Sequence, residues 1–99
     1  MKVIEVTFPN GTIWNVPAEV VAISSASYIA SRVDVEHYAS VFHEEFDDIM
    51  ENDFDLRDWF INNMDWVEVE GVATLVYDPD YDYPKNFGAA ETLVLIINE

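Results

Sequence analysis

The sequence predicts an α+β fold, a single domain over residues 1–99 in which an antiparallel sheet is formed by an N-terminal hairpin and C-terminal strands. About three helices are expected to pack largely on one face of that sheet. Three observations predict this fold: alternating apolar residues at the start, apolar residues at helical spacing in the middle, and valine-rich extended segments at the end. Ninety-nine residues allow one modest core and no second domain.

The first segment alternates apolar and other residues, with Ile4, Val6 and Phe8 on one predicted face. The Pro-Asn-Gly sequence at 9–11 is typical of a type I turn followed by a G1 bulge. A two-residue Asn-Gly turn would bring Asn15 onto the apolar face, so the bulged hairpin is favoured. The predicted cross-strand pairs are Phe8 with Thr12, Val6 with Trp14, and Ile4 with Val16.

The first predicted helix begins at Pro17, which suits a first helical position, and runs to Arg32. The second is capped by Asp34 and carries an apolar stripe in which Phe46 is central and therefore expected to be buried. The inward residues of the first helix are predicted to be Val20, Val21, Ile23, Tyr28 and Ile29. The stripe of the second consists of Val35, Tyr38, Phe42, Phe46 and Ile49.

A third, short helix is predicted after the sequence NDFD, with Leu56, Trp59 and Phe60 facing the core. From Trp66 the sequence WVEVEGVATLVY indicates extended chain, with a bulge or tight turn at Gly71. The last segment, TLVLIIN, is too apolar for an edge and is expected to be a central or otherwise covered strand.

The charge of the chain is strongly one-sided, with 20 acidic and 4 basic residues, a formal net charge of -16 and a pI near 4.1. Few of these charges can be paired internally, and the excess favours cationic partners while disfavouring direct binding to nucleic acid. The absence of cysteine excludes disulfides, a thiolate nucleophile and cysteine-ligated zinc. A cytoplasmic protein is expected, because the chain shows neither a signal-peptide pattern nor an apolar run long enough to span a membrane.

No nucleophile elbow, phosphate-binding loop or dinucleotide fingerprint is present, so we expect no enzymatic activity and no cofactor. The segment YDPDYDYPKNFG places Asp78, Asp80 and Asp82 at the first three ligand positions of a calcium loop. The match then fails, since Tyr83 replaces the glycine at position six and Ala89 the glutamate at position twelve. No specific metal site is expected; the alternating aspartates would form an outward row of charge, with weak cation binding as an alternative.

Half of all the acidic residues, ten of twenty, lie between Asp34 and Asp58. Five of them fall within the eight residues Glu44–Glu51, about one charge per 2.4 Å of helix, whereas one DNA strand carries a phosphate per about 3.4 Å. This density predicts a surface that binds a basic groove. The predicted partner-binding residues are Glu44, Glu45, Asp47, Asp48, Glu51, Asp53, Asp55, Asp58, Asp78, Asp80 and Asp82.

Two alternatives explain the same charge. The acidic helix can be an ordinary solvated face or an adaptation to salt, although 14% aromatic residues are more than the thin core of a salt-adapted protein usually carries. The chain can also be an acidic adaptor module that binds another protein through exposed aromatics such as Tyr81 and Tyr83. Its oligomeric state does not follow from the sequence.

Small size, no cysteine, a charge of -16, no catalytic motif and carboxylates clustered on a helix together form a recognisable profile. In this profile the chain resembles the phage-encoded DNA-mimic inhibitors, the anti-CRISPR and anti-restriction proteins. The resemblance covers the whole chain but rests on no shared motif, so it assigns no site residue. It implies a protein of the host-cell cytoplasm that occupies the nucleic-acid groove of a host defence complex.

Overall fold

The computed structural model of the protein describes residues 1–78 and 90–96. Within them four antiparallel strands form one sheet in the order β3-β2-β1-β4, and four α-helices and one 3₁₀ helix join the strands, which confirms the α+β class. In chain order the elements are β1 (Lys2–Thr7), β2 (Ile13–Pro17), α1 (Ala18–Ala30), the 3₁₀ helix (Val35–His37), α2 (Tyr38–Met50), α3 (Asp53–Asn63), α4 (Trp66–Val69), β3 (Thr74–Tyr77) and β4 (Glu91–Ile96).

The N-terminal hairpin has the predicted turn and register. The Gly11 amide donates to the Phe8 carbonyl oxygen at 2.9 Å, and the Phe8 amide donates to the Thr12 carbonyl oxygen at 3.0 Å. Gly11 has a φ of 85°, as a G1 bulge requires. Ile4 pairs with Val16 and Val6 with Trp14, which places Asn15 on the opposite face.

One hydrophobic core joins the sheet to the helices. Its sheet side is the face of β1 and β2 that was predicted to be apolar, and α1, α3 and α4 cover that face. Trp66 of α4 packs edge-on against Phe8 and Trp14, with ring centroids 4.9 and 5.5 Å apart. The most buried core side chains are Ile4, Val6, Val16, Val21, Leu56, Phe60 and Val69.

Helix α1 buries a different face from the one predicted. It starts at Ala18, with Pro17 as the N-cap residue, and it ends at Ala30 rather than Arg32. Two of the residues predicted to face inward are half exposed, Ile23 at 48% and Tyr28 at 50%. The buried stripe instead follows small residues at four-residue spacing, since large side chains do not fit where α2 packs closely against α1. It consists of Ala18, Val21, Ala22, Ser25, Ala26 and Ala30.

The apolar stripe of α2 is helical as predicted but is buried at only one end. Ile49 is 8% exposed, Phe46 and Phe42 are half-buried, Tyr38 is 41% exposed, and Val35 is 93% exposed. The expected burial of Phe46 is therefore only partly realised. Asp34 precedes the 3₁₀ helix and makes no capping hydrogen bond, so it does not cap α2. The rings of the stripe stack along the helix, 6.3 Å apart for Tyr38–Phe42 and 6.2 Å for Phe42–Phe46.

Helix α3 matches its prediction closely. Leu56 and Phe60 are buried, Trp59 is half-buried, and the helix ends at Asn63. It begins within the NDFD sequence rather than after it. The Asn52 side chain accepts a hydrogen bond from the Asp55 amide at 3.1 Å, as an N-cap should.

The extended chain predicted from Trp66 is wrong for its first half. Residues Trp66–Val69 form α4, which begins with a capping box between Asp65 and Glu68, and only Thr74–Tyr77 form a strand. Trp66 and Val69, three residues apart, are both buried, whereas Val67 is 70% exposed, as a helix dictates. Gly71 lies in the turn between α4 and β3, as predicted.

The last strand is not central within the described residues, and only one of its faces is covered. Within residues 1–78 and 90–96, β4 pairs only with β1 and lies at the end of the sheet. The reason is topological: β2 occupies one side of β1 and β3 the outer side of β2, so β1 and β2 are the central strands. Val94 of β4 packs against the core, while Leu93 and Ile96 are 52% and 71% exposed. In the described part of the chain, no helix has the length and apolar character needed to cross a membrane.

Candidate acidic interface

The predicted acidic residues of the middle of the chain lie on two adjacent helices. Glu51 is the C-cap residue of α2 and Asn52 is the N-cap residue of α3, so the two helices follow each other without an intervening loop. Both helices contact α1, and they also contact each other. The eight carboxylates from Glu44 to Asp58 therefore lie on adjacent helices, with Asp53 on the side of α3 that faces β1 and β4.

Almost all of these carboxylates face solvent. Of the eight, Glu45 is half-buried and the other seven are exposed. One ion pair neutralises a member of the set: Lys2 Nζ lies 2.8 Å from Asp53 Oδ1. The same ammonium group donates to the Met50 carbonyl oxygen at 2.6 Å, which satisfies the C-terminal end of α2.

Four of the eight line a cleft between α1, α2 and α3 that has a volume of about 230 Å³. Glu45 and Asp48, three residues apart, lie on the α2 side, and Asp55 and Asp58, also three apart, lie on the α3 side. Ser25, Ile29, Ile49 and Trp59 provide the rest of the lining. The cleft thus combines carboxylates from two directions with apolar and aromatic surface.

The aromatic wall of the cleft is held in a fixed orientation. The Trp59 indole N–H donates to Ser24 Oγ at 3.1 Å, and the Trp59 ring packs against the Tyr28 ring at 5.6 Å. Tyr28 is held in turn by Arg32, whose Nη1 donates to the tyrosine oxygen at 2.8 Å and whose guanidinium lies 5.5 Å from the ring centroid. Arg32 is therefore engaged with Tyr28 rather than with the acidic cleft.

The remaining predicted residues lie outside the cleft or outside the described part of the chain. Glu44, Asp47 and Glu51 are exposed on α2 but do not line the cleft. Asp78 is exposed directly after β3. Asp80 and Asp82, together with Tyr81 and Tyr83, lie outside the described residues, so the second row of charge stays a prediction.

In the described ranges, no three or more histidine or acidic side chains come together in a way that could hold a metal ion. The four carboxylates that line the cleft form no such cluster.

The sequence did not reveal the cleft lining contributed by α1. Ser25 and Ile29 were not predicted as site residues, and Trp59 was predicted only as a core residue. The repeat of alanine at 18, 22, 26 and 30 is the signal that could have found them, because it identifies the face of α1 that other helices approach.

Comparison of the chain with protein-family models, curated proteins and solved structures finds no match. Support for a function therefore comes from the geometry and charge of the residues themselves.

Proposed function

We propose that this chain is a non-enzymatic acidic binding protein that occupies the basic nucleic-acid groove of a partner, as a DNA-mimic inhibitor of a host defence or DNA-handling complex in the host-cell cytoplasm. The observation that supports it is the display of eight carboxylates on α2 and α3, seven of them exposed and one paired with a lysine. Unpaired surface charge of one sign steers an oppositely charged partner and raises its association rate.

The arrangement of these carboxylates also suits a groove that binds a nucleic-acid backbone. Two helices that contact each other carry them, with five on α2 and its C-cap residue and three on α3. Their spacing along α2, about 2.4 Å of rise per charge, is at least as dense as the phosphates along one DNA strand. A basic groove would therefore meet a field comparable to that of its own ligand.

The test is retention of proteins from a nuclease-treated bacterial lysate on the immobilised chain. One half of the resin is eluted with a short DNA duplex and the other half with NaCl. We expect the same DNA-binding protein in both eluates, since groove mimicry makes retention both competitive with DNA and strongly salt-dependent. A variant with Glu44→Gln, Asp47→Asn and Glu51→Gln should retain less of this protein. The variant Glu19→Gln, on the first turn of α1, should retain as much as the unaltered chain.

A second candidate is an adaptor that binds through apolar surface. The exposure of Val35 at 93%, Phe54 at 76% and Tyr38 at 41% favours it. Such an interface depends little on salt, so its partner would stay on the resin in NaCl and would not be displaced by the duplex. That result would contradict the DNA-mimic proposal.

A further inference from the structure

The cleft between α1, α2 and α3 has two features that a merely solvated acidic surface lacks. Its carboxylates come from two helices, α2 and α3, and Ile29, Ile49 and Trp59 add apolar and aromatic surface to the same lining. It also reaches a buried polar group, Ser25, which is 4% exposed and lines the cleft. The Ser25 hydroxyl makes no hydrogen bond with any other residue that the structure describes.

Within the described residues, Asn15 Oδ1 is the one buried side-chain polar atom without a partner. The Ser25 oxygen is therefore reached from the cleft and can accept a hydrogen bond from a donor that enters it. The carboxylates of the lining are acceptors as well. The Trp59 indole N–H already donates to Ser24. The oxygen atoms of the lining therefore call for donors, and a cationic donor satisfies the carboxylates best. The ligand must therefore carry several N–H groups and a positive charge.

The volume of the cleft suits a single side chain better than a drug-sized molecule. At about 230 Å³ it is smaller than the pockets of about 300–1,000 Å³ that hold drug-sized molecules. An arginine side chain fits this chemistry better than a lysine. Its guanidinium is planar, weakly hydrated, stacks on aromatic rings and donates in two directions, whereas an ammonium is a compact, strongly hydrated charge.

We propose that this cleft is the receptor site for one arginine side chain of the partner protein, with the guanidinium between the α2 carboxylates Glu45 and Asp48 and the α3 carboxylates Asp55 and Asp58. The inference rests on the proposed function, because it names the partner group that the acidic surface binds. The arginine stem lies along Ile29 and Ile49, and the guanidinium lies against the Trp59 ring.

The first experiment uses the unaltered protein and three capped tripeptides, Gly-Arg-Gly, its lysine counterpart and its citrulline counterpart. NMR titration follows the three indole N–H resonances, with Trp59 assigned from a Trp59→Phe variant. We expect the arginine peptide to shift the Trp59 resonance saturably, with little effect on Trp14 and Trp66. The lysine peptide should bind several-fold more weakly, and the neutral citrulline peptide should not bind. Equal shifts for arginine and lysine, or shifts with citrulline, would overturn the proposal.

The second experiment compares two variants that each remove two negative charges. Asp48→Asn with Asp55→Asn changes the cleft, and Asp34→Asn with Glu36→Gln changes exposed residues that do not line it. We expect the cleft variant to bind the arginine peptide about tenfold more weakly or worse, as for loss of a charge-assisted hydrogen bond. The control should lose no more than about twofold, from long-range charge alone. Equal losses in both variants would assign the effect to net charge and overturn the cleft as a specific site.

The two proposals fail in different ways. If no retained protein is eluted by duplex DNA while the arginine peptide still binds the cleft, the DNA-mimic function is wrong and the arginine site stands. If a DNA-eluted protein is retained equally by the cleft variant and its control, the function stands and the arginine site is wrong.

Discussion

At Gly11 the backbone adopts a φ of 85°, which L residues with a Cβ rarely adopt. This conformation closes the hairpin by letting the Phe8 and Thr12 backbone groups pair across the turn. The register of β1 and β2, and with it the apolar face of the sheet, depends on this one residue. Gly71 differs: it has no positive φ, and a Cβ added there would meet no atom within 4 Å.

These two glycines form a matched pair for a stability test. Gly11→Ala should lower the free energy of unfolding by about 1–2 kcal/mol, because alanine is strained at positive φ. Gly71→Ala should leave it unchanged or raise it by up to about 1 kcal/mol, because alanine has less conformational entropy to lose on folding. Urea denaturation of both variants measures this. Equal effects would mean that the turn at Gly11 is not the one described.

Among the elements, α2 shows how a regular apolar pattern can end in solvent. Its stripe is continuous in sequence, yet only the end near Ile49 reaches the core, while Val35 before the helix is 93% exposed. The stripe is anchored where α2 lies beside α1 and α3, and it leaves the core toward the loop that joins α1 to the 3₁₀ helix. The position of each ring along the helix, rather than its hydrophobicity, sets how much the ring contributes to the free energy of unfolding.

Two phenylalanines on neighbouring helices differ in burial, so their replacement by alanine tests how burial sets the contribution of a ring to stability. Phe60 of α3 is fully buried, so Phe60→Ala should cost about 3–5 kcal/mol of unfolding free energy. Phe46 of α2 is half-buried, so Phe46→Ala should cost less, about 1–3 kcal/mol. Chemical denaturation at one pH and salt concentration compares them. A cost for Phe46→Ala equal to that of Phe60→Ala would show that α2 is packed along more of its length.

The elements that sequence reasoning placed well are those in which local chemistry and burial agree. The turn at 9–11 and the apolar face of β1 predict the same hairpin, and the Asn52 cap precedes a helix whose Leu56 and Phe60 are both buried. In the sequence WVEVE two local signals disagree. The alternation of apolar and acidic residues suggests a strand, while the capping box of Asp65 and Glu68 specifies a helix. Packing of Trp66 against Phe8 and Trp14 favours the helix, and that contact is invisible in the sequence.

For the whole molecule, the sequence gives the amount of charge but not its arrangement. The density from Glu44 to Asp58 could be predicted, and so could its exposure on helices. The cleft could not, because it forms only when α1, α2 and α3 pack together and bring Ser25 and Ile29 beside the carboxylates of the other two helices. The sequence likewise does not reveal that Asp53 forms an ion pair, since its partner Lys2 is 51 residues away, in β1.

A net charge of -16 on 99 residues should make the stability of the molecule depend on ionic strength. Repulsion among the carboxylates of α2 and α3 opposes folding, and salt screens it, since the Debye length falls from about 30 Å at 0.01 M to about 10 Å at 0.1 M. The Lys2–Asp53 attraction is screened too, but it is a single pair whose carboxylate partner is exposed.

We therefore expect the melting temperature to rise by several degrees between about 0.01 M and about 0.3 M NaCl, the shift that about 1 kcal/mol produces in a domain of this size. Calorimetry or circular dichroism measures it, with sucrose at equal osmolality as the uncharged control. The variant with Glu44→Gln, Asp47→Asn and Glu51→Gln should start at a higher melting temperature in low salt and gain less from NaCl, because part of the repulsion is already removed. A melting temperature that is independent of NaCl, or that rises as much with sucrose, would mean that the carboxylates of α2 and α3 lie too far apart or are too well solvated to repel one another.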